Sequence, residues 1–118
     1  MTKVQVSRDC GNSPKNKFVQ KIALAMEAGG ARLEDFSEDV VWERTAEEQI
    51  IGRDALIRVC AAKASPASVT IEYAISHGKT GAASGHARFE TGETRRFSHV
   101  LEFTSAKANR VSVIKSYT

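Results

Sequence analysis

The chain has 118 residues, of which 42% are hydrophobic and 26% charged, enough for one globular domain with a single core and too few for a second. No apolar run could span a bilayer, and the net charge of +3 is scattered over turns and strand exteriors. Neither a membrane nor a nucleic acid is therefore the expected partner.

Residues 1–12 are polar and read as a flexible leader holding a short extended piece, and 13–118 as the single domain. The leader lacks the apolar centre of a signal peptide, so a cytoplasmic location is expected. Cys10 in the leader and Cys60 in a helical pattern show no C-x-x-C spacing, and both read as reduced bystanders.

Ser13-Pro14 has the form of an N-cap followed by proline at the first helical position. Phe18, Ile22, Ala25 and Met26 then repeat at helical spacing until Gly29-Gly30 ends the helix. Residues 32–36 predict a short second helix or helical turn that presents Leu33 and Phe36 to the core. Val40 to Arg44 has the β-branched and aromatic content of a strand, and Thr45 to Gln49 reads as a charged connection. A third helix is predicted from Arg53 to Ala64, with Leu56, Val59, Cys60 and Lys63 on one face and Pro66 fixing its end.

From Ala67 the period changes to two. Val69, Ile71, Tyr73 and Ile75 are predicted to share one face of a strand, and His77-Gly78-Lys79 turns the chain. Residues 81–89 form a strand of small residues whose glycines suggest a bend or the close approach of a helix. The next strand, Arg95 to Phe103, sets Phe97, His99, Leu101 and Phe103 on its apolar side, with an imidazole in the middle. Residues 110–117 close the chain as a last strand. Helices ahead of an antiparallel meander make an α+β order, with the helices on one face of a curved sheet.

Four phrases in this order resemble the nuclear transport factor 2-like superfamily, and within it the SnoaL-like group. They are Glu27-Ala28-Gly29-Gly30, Phe36-Ser37-Glu38-Asp39-Val40-Val41-Trp42, Gly52-Arg53-Asp54-Ala55-Leu56 and Phe97-Ser98-His99-Val100-Leu101-Glu102-Phe103. The resemblance implies a cone: a strongly curved sheet wrapped around the first helix, with a pocket at the open end and a homodimer formed through the sheet's exposed face. The superfamily holds ketosteroid isomerases, cyclases, dehydratases and non-catalytic binding proteins, so fold alone does not set function. Aligned on the first-strand phrase, the isomerase base falls on Arg44, its hydroxyl donor near Ile22 and its protonated acid on His99. Arginine cannot accept a proton and isoleucine has no hydroxyl, which argues against that mechanism.

What the resemblance leaves at the mouth of the cone is Trp42, Arg44, Tyr73, Phe97 and His99, a binding constellation for a small hydrophobic or aromatic molecule with one anionic or carbonyl group. His99 is the one candidate general base, with Arg44 or Tyr73 as electrophilic partner in a lyase, isomerase or cyclase. Against this stand plainer readings: His99 as a core histidine bonded to Tyr73, Ser84 or a carbonyl, Trp42 as core filling, and Arg44 as a surface partner of Glu43, Glu47 or Glu48. A third reading is a protein-interaction module that uses the sheet face. His77, His86 and His99 have no carboxylate beside them in sequence, and neither a metal nor a cofactor is expected. Asp39 and Asp54 are explained by a turn and by a helix N-terminus.

Overall fold

A computed structural model describes residues 2–6, 13–107 and 109–118. Cys10 and the rest of 7–12 lie outside the described residues, as do Met1 and Ala108. The elements run β1 (Lys3–Val6), α1 (Pro14–Ala28), a 3-10 turn (Leu33–Asp35), β2 (Phe36–Arg44), β3 (Glu47–Ile51), α2 (Arg53–Ala62), β4 (Ser68–His77), β5 (Thr80–Arg88), β6 (Thr94–Phe103) and β7 (Val111–Tyr117). The strands form one curved sheet in the order β1-β4-β5-β6-β7-β2-β3. The meander β4 to β7 is its antiparallel centre, and parallel pairs join β1 to β4 and β2 to β7.

α1 starts as its first residues dictate. The Ser13 side chain accepts the Asn16 N–H at 3.1 Å, and Pro14 occupies the first turn, where its missing N–H is not needed. Gly29, at φ +92°, ends the helix in a conformation that side chains disfavour. Val19, Ile22, Ala23 and Met26 are buried against the concave face of β4 and β5. The approach is close at Gly81, where an added Cβ would lie 2.7 Å from a Val19 methyl and 2.9 Å from the Phe103 ring. This is the helix contact that the small-residue strand suggests.

Three expectations need correction. The charged connection is strand β3, antiparallel to β2 through a tight turn in which Ala46 has φ +60°. Its polarity is that of an exposed edge strand, which charges protect from further pairing. The expected helical turn is present as a single 3-10 turn, with Phe36 and Asp35 buried, the latter paired with Lys21 at 3.1 Å, but Leu33 is 48% exposed and not in the core. The short extended piece expected in the leader is present and needs no correction: it is β1, in parallel register with β4, Lys3 opposite Ser68.

The third correction bears on the site. β4 is bulged between Ile71 and Tyr73, so the alternation slips by one residue. Val69, Ile71 and Ala74 point inward, and Tyr73 and Ile75 point out.

Candidate functional site

The open end of the cone is bounded by the last turn of α1, the C-terminal part of α2 and the ends of β2, β6 and β7. Strand register brings the site together: Arg44 of β2 lies opposite Ser116 of β7, and Ser116 lies opposite His99 of β6. A cavity of about 450 Å³ results, with Glu27, Trp42, Arg44, Val59, Lys63, Arg95, His99 and Ser116 in its walls.

His99 is 2% exposed and both ring nitrogens are engaged, Nδ1 with Ser116 Oγ at 2.7 Å and Nε2 with Glu27 Oε2 at 2.7 Å. Ser116 Oγ also accepts the Trp42 indole N–H at 2.8 Å. With a neutral imidazole, one assignment satisfies every group: indole to serine oxygen, serine hydroxyl to Nδ1, and Nε2–H to the Glu27 carboxylate. Arg95 closes the chain at Glu27 Oε1, 2.7 Å away, and its guanidinium stacks on Phe89.

A carboxylate as deeply placed as Glu27 is costly unless paired. Burial alone would raise its pKa, but the hydrogen bond and electrostatic attraction of the His99 ring, the charge of Lys63 and the hydrogen bond from Arg95 outweigh it and hold the group below its ordinary value. Glu27 is accordingly ionised at neutral pH. Burial instead pushes the Cys60 thiol up to about 11, so it is no thiolate nucleophile.

Of the expected site residues, Trp42, Arg44 and His99 line the cavity. Phe97 packs behind the imidazole, ring centres 5.3 Å apart, and does not reach the cavity. Tyr73 does not belong to the site: the β4 bulge turns it to the outer face, where it is 67% exposed. Arg44 lies over the Trp42 ring at 5.1 Å while pairing with Glu47 at 2.9 Å, so it is at once a cavity wall and a partner of the β3 acids.

Sequence reasoning missed Glu27, Lys63, Arg95 and Ser116 as site residues. Glu27 had a signal, because it lies four residues after Ala23 and eight after Val19, on the buried stripe of α1. His86 lies on the outer face near Glu72, 3.5 Å away, and no cluster of three metal-ligating side chains occurs among the described residues.

No protein-family model and no curated protein matches the chain by sequence. Solved structures match by shape. An NTF2-like protein of unknown function from Burkholderia xenovorans superposes with a TM-score of 0.68 at 16% identity, over 89% of this chain and 85% of that one. A putative ketosteroid isomerase from Kribbella flavida gives 0.63 at 21% identity, over 72% and 61%. A putative SnoaL-like polyketide cyclase from Jannaschia gives 0.61 at 12% identity, over 89% and 88%. The chain has the nuclear transport factor 2-like fold, as its sequence phrases imply. At these identities the likeness establishes the fold and leaves function to the site.

Proposed function

We propose that the chain binds a small, partly apolar organic molecule in the cone. The observation that carries this reading is the cavity itself, about 450 Å³ and within the range of small-ligand sites, walled by the Trp42 ring, Val59 and a paired polar network. A cone filled by its own side chains would have argued for a purely structural role. Ligands related to steroids or cyclic polyketides are a reasonable first choice, given the names of two proteins of the same fold. Trp42 is the only tryptophan, so its fluorescence reports occupancy directly. A screen of phenols, steroids and polyketide-like ketones should give hits that shift this fluorescence and raise the melting midpoint. Stabilisation is roughly 3 kcal/mol at a hundredfold excess over the dissociation constant. Val59→Trp, which fills the cavity, should abolish the midpoint shift; hits that survive it would place binding elsewhere.

A second reading, proton transfer, is favoured by the chain of 2.7 Å contacts through Glu27, His99 and Ser116. His99 itself has no free nitrogen for a substrate. The group facing the ligand would be the Ser116 hydroxyl, which can take a proton as it passes its own to Nδ1, the resulting imidazolium being held by Glu27. Solvent-deuterium exchange into a bound ketone, lost in His99→Gln with binding retained, would support this reading; equal exchange rates would remove it.

The sheet's outer face supports a homodimer as part of the same proposal. Tyr73, Ile75, Val100 and Tyr117 are exposed there with small residues between them.

A further inference from the structure

Three cationic side chains, Arg44, Lys63 and Arg95, and two carboxylates, Glu27 and Glu47, line the cavity. Both carboxylates are committed, Glu27 to Arg95 and His99 and Glu47 to Arg44. Lys63 is the remaining cation. It follows the last turn of α2, where its ammonium donates to the Met26 carbonyl at 3.0 Å, one of the carbonyls that the end of α1 leaves unpaired. That bond uses one of three donors and fixes where the others start. No carboxylate among the described residues forms an ion pair with Lys63.

A second observation points the same way. The Nε–H groups of Arg44 and Arg95 are buried, and neither finds an acceptor among the described residues. In the same guanidinium groups Arg44 Nη1 pairs with Glu47, Arg44 Nη2 donates to the Glu48 carbonyl, and Arg95 Nη2 pairs with Glu27. A buried donor without an acceptor costs free energy that an incoming oxygen would relieve. Among the described residues two buried donors of the cavity wall are therefore without acceptors, and beside them stands an ammonium that no carboxylate bonds.

We infer that the cavity selects a monoanionic carboxylic acid with a flat apolar body, its carboxylate anchored by Lys63 and its body against Trp42 and Val59. The inference rests on the small-molecule reading above and adds the ligand's charge and anchor. A carboxylate has two oxygens and about four acceptor sites, enough for the ammonium and a guanidinium N–H together, whereas a ketone has one oxygen. A single negative charge pairs with Lys63, whereas the second charge of a phosphate dianion would face Glu27 and Glu47 in the same wall.

The test is equilibrium dialysis of the full chain against 2-naphthoate, 2-naphthamide and naphthyl phosphate, which share one flat body and differ in the head group. The acid should bind about tenfold more tightly than the amide, the step expected of a charge-assisted contact, and more tightly than the phosphate. Lys63→Gln keeps a donor for the Met26 carbonyl and removes the charge. It should bring the acid down to the affinity of the amide and leave the amide unchanged, while Lys63→Arg should retain most of the preference. Equal binding of acid and amide to the unaltered protein would overturn the inference and leave the cavity a neutral binding site. Tighter binding of the phosphate would overturn it in favour of a dianion site. Binding of none of the three probes would remove the inference together with the small-molecule reading for flat apolar ligands.

Discussion

Glu27 and His99 stand 72 positions apart in sequence and 2.7 Å apart in the cone. The pair ties the end of α1 to the middle of β6, and Ser116 and Trp42 extend it across β7 to β2. One hydrogen-bonded line therefore joins the helix to three strands at the cavity wall. A polar chain of this depth is stabilising only while each member has its partner.

Removing Glu27 should expose that dependence. Glu27→Ala would leave Arg95 and the His99 Nε2–H without an acceptor, and the expected loss is about 3 to 5 kcal/mol, as for other broken buried pairs. Glu27→Gln keeps an acceptor oxygen for one partner and should lose about half as much. Urea unfolding of the two variants beside the parent chain measures both. Loss of less than about 1 kcal/mol in Glu27→Ala would mean that water reaches the site and solvates the pair.

The same carboxylate sets an acid limit on stability. Its folded pKa lies below the ordinary 4.5, so the folded state binds a proton less readily than the unfolded chain. The stabilisation is complete above the unfolded value and is lost as pH falls through the folded one. Unfolding free energy measured from pH 7 downward should hold steady and then decline below about pH 4.5. Part of that slope should disappear in Glu27→Gln, which cannot titrate. An unchanged slope in the variant would assign acid sensitivity to other carboxylates.

Much of the fold was legible because local chemistry and tertiary demand agree. The Ser13 cap, the stripe on α1 and the alternation of β6 each satisfy neighbours in sequence and in space at once. β3 was hidden because an edge strand that must stay soluble carries the residues of a loop. Tyr73 was misplaced because one extra residue in β4 reverses every side chain after it, and a bulge among Ile71, Glu72 and Tyr73 leaves no glycine of its own to announce it. Its partner strand does carry one, Gly85, opposite Ile71. Half of the site was missed for a related reason: Lys63, read on one face of its helix with Leu56, Val59 and Cys60, and Arg95, ahead of the apolar residues of β6, give no sign in sequence of a shared space, and only the closure of the sheet turns them toward one.

Gly85 should be the least replaceable glycine of the sheet. A Cβ there would run into the backbone oxygen of Thr70, which the β4–β5 pairing holds in place, whereas a Cβ at Gly81 meets only the Val19 methyl and the Phe103 ring before reaching backbone. Side chains can move by rotation; a paired backbone moves only with its strand. Gly85→Ala is expected to cost more than Gly81→Ala, by about 1 kcal/mol or more, within the overpacking range. Thermal melts of the two variants decide the order, and a more stable Gly85→Ala would show that β4 shifts freely at its bulge.

The outer face gives the last prediction. The rows Tyr73, Ser84, Ser98, Tyr117 and Ile75, Ala82, Val100, Lys115 run side by side across β4, β5, β6 and β7. They form a low surface with a tyrosine at each end of one row and Val100 inside the other. A twofold dimer lays such a surface against its own copy, and a substitution near the axis then appears twice at close range. The unaltered chain should sediment as a dimer at micromolar concentration. Val100→Glu should bring two carboxylates together in an apolar setting and shift the mass to that of a monomer, with the melting of a dilute sample little changed. A monomeric mass for the unaltered chain would reject the dimer. A dimer that persists in Val100→Glu would move the interface away from this face, leaving Tyr73 and Tyr117 to be explained by a partner of another kind.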